Sequence, residues 1–382
     1  MDIQFDPSQR LVVAMSGGVD SSVVAWMLHD AGHELVGLFM RNGVKVDESE
    51  VAKKSCCSLG DARDARMIAA GLEIPFQAVD LGVEFGSIID YFTSEYGRGR
   101  TPNPCAVCNR DLKMGRLIEF ADELGAAGVA TGHYARLSVR DGRVHLLRGV
   151  DRRKDQSYQL FSVPEAQLAR TVLPLGGLEK PQVRELAASA GLRTSQKKDS
   201  QEVCFIPSND YRQLLRERQV PLHPGDIVDT TGKKLGTHPG TEHFTIGQRR
   251  GHGIVTGVPT FVVDLLPEEG VVVVGPKEEC YASSMEVDDL NWIGIDALAP
   301  GQELRCTVQY RYHCTPAHAS VELITGEGPC AGRARVSFDE PQLAVAPGQG
   351  AAFYQEERLV GGGWIDRVRR AAGSEVRDRA KA

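Results

Sequence analysis

From Leu11 to about Val203, short apolar runs alternate with longer amphipathic stretches, the pattern of strands and crossover helices on a parallel sheet. Leu11-Val12-Val13-Ala14-Met15 predicts the first strand, residues 21–31 a helix and residues 34–40 the next strand. Residues 61–71 read as a second helix ending at glycine, followed by a strand over 75–79. Past about Pro207 the helical period disappears, and short β-branched runs separated by Gly, Pro and Asp replace it, as in small barrels and sandwiches. Candidate strands there are 225–229, 261–265 and 271–274, then a second set at 306–312, 334–338 and 351–354. The expected fold is an α/β domain with a parallel sheet over 1–207, a central β domain over 208–275, a C-terminal β-barrel domain over 276–366, and a basic, flexible tail over 367–382.

A chain of 382 residues exceeds what one hydrophobic core supports, and 42% hydrophobic with 25% charged residues is the balance of a chain folded throughout. Met1-Asp2-Ile3-Gln4-Phe5-Asp6 lacks a basic stretch leading into an apolar one, so no secretory leader is expected. No apolar run is long enough to span a bilayer. A cytoplasmic protein without membrane contact is therefore expected, and its nine cysteines read as thiols, metal ligands or catalytic groups rather than disulfides. The net charge of −7 excludes a generally basic surface for nucleic acid, so an RNA partner must meet local patches. Arg367, Arg369, Arg370, Arg377, Arg379 and Lys381 form one such patch, read as a solvated terminus without function.

The first strand ends in Ser16-Gly17-Gly18-Val19-Asp20-Ser21-Ser22 and opens into a helix, which turns backbone N–H groups and the positive helix end toward an anion. Two glycines permit close approach of a phosphate, and Ser16, Ser21 and Ser22 supply hydroxyls. The Gly-Lys-Ser/Thr of the Walker loop is missing, so this is not a kinase or GTPase loop of that kind. Asp20, in the first helical turn, is placed to hold Mg2+ beside the phosphates. The segment resembles the PP-loop of the ATP pyrophosphatase superfamily, of adenine nucleotide alpha-hydrolase-like fold. That resemblance implies cleavage of ATP between the α- and β-phosphates and transfer of AMP to a substrate oxygen, without fixing the substrate.

Thr101-Pro102-Asn103-Pro104-Cys105-Ala106-Val107-Cys108-Asn109 carries two thiols at a spacing that suits a shared metal, a disulfide or sulfur transfer. Together with Thr131-Gly132-His133-Tyr134-Ala135, Lys154-Asp155-Gln156-Ser157-Tyr158 and Asp199-Ser200-Gln201-Glu202-Val203-Cys204-Phe205-Ile206, this loop resembles the tRNA-specific 2-thiouridylase family along nearly the whole chain. Arg311-Tyr312 resembles a tRNA-contacting pair of the same family.

The resemblance implies 2-thiolation of the wobble uridine (U34) of lysine, glutamate and glutamine tRNAs: ATP adenylates the C2 oxygen, a persulfide sulfur attacks C2 and AMP leaves. By position Cys204 carries the persulfide, and Cys108 is the second catalytic thiol. Ala14, Met15, Ser16, Gly17, Gly18, Val19, Asp20, Ser21, Met40 and Gly132 contact ATP by the same carry-over. Asn103, Pro104 and Cys105 lie against the target base, while Lys154, Asp155, Gln156, Arg311 and Tyr312 contact tRNA. A sulfur-donor protein is an implied partner, and a monomer binding one tRNA is expected. A basic face for the RNA is sought in Arg98, Arg100, Arg110, Lys113 and Arg116, around the cysteine loop.

Many family members have aspartate where this chain has Cys105. A third thiol opens a second route, in which Cys105, Cys108 and Cys204 ligate three irons of a 4Fe-4S cluster whose fourth iron binds the sulfur; the same donors suit zinc. Cys56 and Cys57 read as a structural pair near the ATP site, and Cys280, Cys306, Cys314 and Cys330 as core or surface thiols. Two other readings stay open on the residues alone: another PP-loop adenylating ligase, in which Cys108 and Cys204 are incidental, and a non-catalytic RNA-binding or sulfur-carrier protein, which needs no phosphate loop.

Overall fold

The computed structural model describes residues 5–43, 59–198, 203–206, 210–254, 257–325 and 332–371. The N-terminal unit runs β1 (Leu11–Ala14), α1 (Val19–Asp30), β2 (Leu35–Arg41), α2 (Leu59–Gly71), β3 (Phe76–Asp80) and α3 (Gly82–Gly97). Then follow α4 (Pro104–Cys108), a π-helical stretch (Asn109–Arg116), α5 (Leu117–Glu123), β4 (Gly128–Ala130), the hairpin β5 (Ala135–Arg140) and β6 (Arg143–Arg148), α6 (Glu165–Leu168), β7 (Thr171–Val172) and α7 (Lys180–Ser189).

Five strands form a parallel sheet in the order β3-β2-β1-β4-β7. Leu11, Val12 and Val13 are fully buried, as a central parallel strand covered by helices on both faces requires. After β1 the chain crosses to β2 on one side, and β4 lies on the other. The carboxyl ends of β1 and β4 therefore flank a topological switch point, where open α/β sheets leave a crevice for ligands.

Helix α8 (Tyr211–Glu217) leads into the central unit of β8 (Gly225–Asp229), β9 (Lys234–His238), β10 (Phe261–Leu266) and β11 (Val271–Gly275), ordered β10-β11-β8-β9. The last unit comprises β12 (Tyr281–Trp292), β13 (Glu303–Gln309), β14 (Ala317–Thr325), β15 (Arg333–Leu343), β16 (Gly350–Gln355) and β17 (Arg358–Arg370). Their order β12-β15-β14-β13-β16-β17, with β17 pairing back to β12, closes a six-stranded barrel and removes its sheet edges. An α/β unit followed by two β-rich units is the fold class the sequence predicts.

The hairpin β5–β6 leaves the parallel sheet and pairs with β17 through Leu146↔Leu359 and Leu147↔Arg358. One apolar cluster accordingly mixes Phe85, Ile88 and Phe92 of α3, Leu137 and Leu146 of the hairpin, and Ala352, Tyr354 and Trp364 of the barrel. Two expectations shift. The strand expected over 306–312 stops at Gln309, because the Gln309 amide donates to the carbonyls of Arg311 (3.3 Å) and Tyr312 (2.6 Å) and folds the chain into a loop. At the C-terminal end, β17 runs to Arg370, with Arg369 and Arg370 opposite Ser284 and Ala282, so residues 367–370 belong to the barrel wall rather than to a tail.

Candidate active site

Gly17 has φ +72°, and a Cβ there would meet the Asp61 carbonyl oxygen at 2.2 Å, so the loop after β1 both needs the left-handed region and lies hard against α2. Gly18 caps α1 without a side chain, leaving the first-turn N–H groups to a ligand. The Ser21 hydroxyl accepts from the Ser16 N–H (3.1 Å) and lies 3.2 Å from the Ser16 hydroxyl, and Ser22 donates to the Gly18 carbonyl (2.8 Å), which holds the loop in shape. Across the crevice, a Cβ on Gly132 would stand 3.1 Å from Asp20 and 3.3 Å from the Ser21 nitrogen. Ala14, Met15, Ser16, Gly17, Gly18, Val19, Asp20, Ser21 and Gly132 thus gather at the switch point, and Met40, near the end of β2, packs on the same apolar cluster as Ala14.

Sequence reasoning missed two cations here. Lys180, at the start of α7, donates to both Asp20 oxygens (2.7 and 2.9 Å), and the Tyr134 hydroxyl donates to one of them (2.8 Å). Lys197 donates to the Gly17 carbonyl (2.9 Å), Asp61 (2.6 Å) and Asp64 (2.8 Å). A loop without a Walker lysine is therefore bracketed by two lysines from distant parts of the chain. Asp20, expected to hold Mg2+, is instead engaged by Lys180 and Tyr134 in this structure.

His133 is buried, with Nδ1 2.8 Å from the Thr131 hydroxyl and Nε2 3.1 Å from the Asn109 side-chain oxygen, and Asn109 donates onward to the Gln159 carbonyl (3.0 Å). It bridges the nucleotide crevice to the helix after the cysteine loop. Burial first, and then the Lys113 ammonium, hold the imidazole well below its usual range. The unfolded chain, with histidine near its ordinary value of about 6.5, then binds a proton the folded chain refuses, so stability falls as pH drops below about 6.5. In urea titrations between pH 7.5 and 5, wild type is expected to lose up to about 1.4 kcal/mol per pH unit more than His133→Gln in that acid range. Parallel acid limbs for the two proteins would contradict a neutral, buried His133.

The cysteine loop is set by Asn103, whose side chain caps α4 by accepting from the Ala106 N–H (3.2 Å), and by Pro104 in the first turn. Its Nδ2 is buried beside the Tyr158 hydroxyl without a hydrogen bond of ordinary geometry, leaving a donor to offer. Cys105 is exposed, and Cys108 half-buried at the head of the π-helical stretch, a form concentrated at functional sites. Cys108, Cys204 and Tyr312 all pack against one apolar cluster, in which Phe205 is fixed edge-on by Phe85 (5.8 Å) and Phe92 (5.2 Å). The chain from Lys197 to Cys204 therefore begins on the nucleotide loop and ends on the cluster that carries Cys108. Burial, then the charges of Asp155 and Cys105, push the Tyr312 phenol up.

Asp155 is 6% exposed, accepting from Arg148 (3.0 Å), the Gly149 N–H (2.9 Å) and the Ser157 N–H (3.0 Å) and hydroxyl (3.1 Å), while Gln156 accepts from the Tyr134 N–H (3.0 Å). Arg148 also donates to Gln309 (3.0 Å) and lies 3.5 Å over the Tyr354 ring. The Lys154-Asp155-Gln156 loop is thereby tied to the barrel strand β13 at Gln309, just before the Arg311-Tyr312 loop. Lys154 is half-buried and Arg311 exposed.

The basic face expected around the cysteine loop is largely neutralised by carboxylates, some local and some from distant strands and helices. Arg98 and Arg100 pair with Glu95, Arg100 also with Asp366, Arg110 with Asp111 and Asp289, and Arg116 with Glu84 and Glu119. Among the described residues no group of three Cys, His, Asp or Glu side chains comes together as a metal site, so Cys105, Cys108 and Cys204 are not gathered as cluster ligands. Cys280 and Cys306 are buried thiols pushed up to about 11 and about 12. Asp199, Ser200, Gln201, Cys56, Cys57, Cys330 and residues 372–382 lie outside the described residues. No described helix is long and apolar enough to cross a membrane.

Residues 9–208 match the family described as tRNA methyl transferase HUP domain, 213–276 the tRNA methyl transferase PRC-barrel domain, and 282–365 the aminomethyltransferase beta-barrel domain. The chain is 47% identical over 364 residues to the tRNA-specific 2-thiouridylase MnmA of Geobacter metallireducens, covering 94% of this chain and 97% of that protein. It is 43% identical over 387 residues to the protein of the same name from Rhodopirellula baltica, covering 93% and 96%. Among solved structures, a 4-thiouridine synthetase in complex with RNA and ATP shows a partial likeness, with TM-score 0.36 and 20% identity over 56% of this chain and 50% of that one.

Proposed function

Because the chain belongs to the tRNA-specific 2-thiouridylase family, we propose that it thiolates C2 of the wobble uridine with Cys204 as sulfur carrier and Cys108 as the thiol that closes the cycle. The enzyme is an ATP-dependent tRNA uridine 2-sulfurtransferase. The observation that supports the assignment of roles is that Lys197 donates to the Gly17 carbonyl, while Cys204 and Cys108 pack against one apolar cluster.

The C2 oxygen of the uridine attacks the α-phosphorus of ATP and pyrophosphate leaves, which turns a poor leaving group into AMP. First-turn amides of α1 and Lys180 stabilise the charge that develops on the phosphates, and a Mg2+ ion arriving with ATP would add to that stabilisation. The terminal sulfur of a Cys204 persulfide attacks C2, forming C2–S and expelling AMP. The Cys108 thiolate then attacks Cys204 Sγ and breaks the S–S bond, leaving 2-thiouridine and a Cys108–Cys204 disulfide. A dithiol reductant restores both thiols, and a persulfide-carrying donor protein reloads Cys204. Asn103, with its spare buried donor, and exposed Cys105 form the wall of the base pocket, and Arg311 and Tyr312 meet the RNA backbone beside it. A uridine reaches this site by leaving its stack. The cytoplasm, with one chain per tRNA, is the proposed setting.

Among the described residues Cys105, Cys108 and Cys204 do not form a metal-ligand group. The test is anaerobic purification with iron, zinc and sulfide analysis, followed by mass spectrometry of unmodified tRNA incubated with ATP and a persulfide donor. Thiouridine from metal-free protein supports the persulfide route. Stoichiometric iron and sulfide, lost together with activity in Cys105→Ala, would overturn it in favour of a cluster, and no thiouridine under either condition would overturn the function.

A further inference from the structure

We propose that the outer wall of the barrel formed by β15, β12 and β17 is a second RNA-binding surface, which holds the sugar–phosphate backbone of the substrate tRNA away from the wobble base. The proposal rests on the reading of tRNA as substrate and adds where its remainder is held. In the strand registers, Glu286 of β12 lies between Arg335 of β15 and Arg367 of β17, and Ser284 lies between Ser337 and Arg369. Alternation turns these side chains outward, since Met285, Val287, Ala334 and Val336 between them are buried. They line a shallow hollow of about 390 Å³.

Three guanidinium groups meet one carboxylate in that hollow, a net charge of +2 on a chain whose total is −7. Their ion pairs are loose. Arg335 stands 3.9 Å from Glu286, and Arg367 3.7 Å from Asp366, whereas Arg305 of β13 grips Asp339 further along β15 at 2.7 Å. Arg369 has no ion pair among the described residues, and Arg335, Arg367 and Arg369 are all exposed. Glu322, opposite Arg335 on β14, bounds the strip on that side. Arginines accompanied by serine hydroxyls are the donor set that takes phosphate oxygens. Residues two apart on a strand repeat at about 6.8 Å and neighbouring strands at about 4.8 Å, the scale on which successive phosphates follow one another along a nucleic-acid strand.

The strip is also placed to continue from the active site. Arg333, the next outward residue on β15, pairs with Asp366 (3.5 Å), and Asp366 pairs with Arg100 (2.9 Å), immediately before the cysteine loop. In the closed barrel β12 lies across from β13, whose end carries Arg311 and Tyr312, so this is a different wall from the one beside the base. A polyanion approaching an acidic protein is drawn to local positive excess.

The test compares wild type with the combined Arg335→Glu, Arg367→Glu and Arg369→Glu variant, and with its glutamine counterpart, for binding full-length tRNA and an isolated anticodon stem-loop over a salt series. Thermal midpoints are measured alongside, and the glutamine variant, which introduces no repulsion, carries the test if the glutamates unfold the barrel. Full-length tRNA is expected to bind ten-fold or more weakly, with a salt slope lower by roughly 2–3, at about 0.9 for each phosphate the arginines no longer neutralise. Affinity for the stem-loop and its thiolation are expected to stay unchanged. Unchanged affinity and slope for full-length tRNA would overturn the proposal, as would happen if the strip docks an acidic protein instead. Equal losses for both RNAs would overturn it too, by assigning the strip to the wobble site. Wild type that binds tRNA through the strip yet forms no thiouridine would sink the enzymatic reading alone.

Discussion

Cys204→Ala is expected to lower thiouridine formation by about 10³-fold or more while tRNA-dependent release of pyrophosphate continues. Removing the nucleophile from a covalent mechanism stops the step it carries, and leaves a preceding step that uses different groups. Adenylation draws on the loop after β1 and on Lys180, and Cys204 belongs to the other end of the segment that Lys197 anchors. The check is paired measurement of pyrophosphate and of thiolated nucleoside by mass spectrometry. Loss of both activities in equal measure would mean that Cys204 shapes the nucleotide site, and retention of both would make the thiol incidental.

Cys108→Ala separates the two thiols. Without Cys108 to attack Cys204 Sγ, sulfur joined to C2 stays joined to Cys204, and a tRNA–protein conjugate that a reductant dissolves is expected to accumulate on non-reducing gels. Its absence, with turnover lost, would indicate instead that Cys108 releases hydrosulfide before C2 is attacked.

The nucleotide loop was legible because it is local: an apolar strand, two glycines and a helix start lie within a dozen residues, and Gly17 takes the positive φ its identity suggests. The three-part organisation was legible for a similar reason, since after the short helix α8 (Tyr211–Glu217) the chain past Pro207 is built of strands. What escaped depends on partners far apart in sequence. Lys180 and Lys197 reach the loop across 160 and 180 residues, and Arg100 and Arg110, beside their local partners Glu95 and Asp111, also pair with Asp366 and Asp289, 266 and 179 residues away. The hairpin β5–β6 carries its own signal, Asp141-Gly142 with φ of 52° and 75° between alternating strands. Nothing local, however, says that it leaves the parallel sheet to join a barrel some 200 residues later. Asp155 shows the complementary limit. A motif match names the residue, and only the fold shows its carboxylate turned inward to Arg148, where it links the loop to the barrel.

Lys180→Met is expected to reduce pyrophosphate release by about 10²–10³-fold, the cost of removing one preorganised charge from a site where charge develops, and to reduce thiolation by the same factor because adenylation comes first. The side chain is 10% exposed and sits in the first turn of α7, where the helix dipole disfavours a cation. A lysine kept there against the dipole is held by Asp20, and Asp20 in turn stands in the first turn of α1, where the dipole favours an anion. With Lys180 gone, the Asp20 carboxylate keeps only the Tyr134 hydroxyl and faces incoming phosphates as an uncompensated negative charge. The defect should therefore fall on kcat for adenylation and on KM for ATP together, with tRNA affinity unchanged, and Lys180→Arg should recover part of it. A variant that loses thermal stability but keeps kcat and KM would reduce Lys180 to a latch between α7 and α1. That outcome would shift the stabilisation of the phosphates to the amides of the loop and to Lys197 beside Gly17.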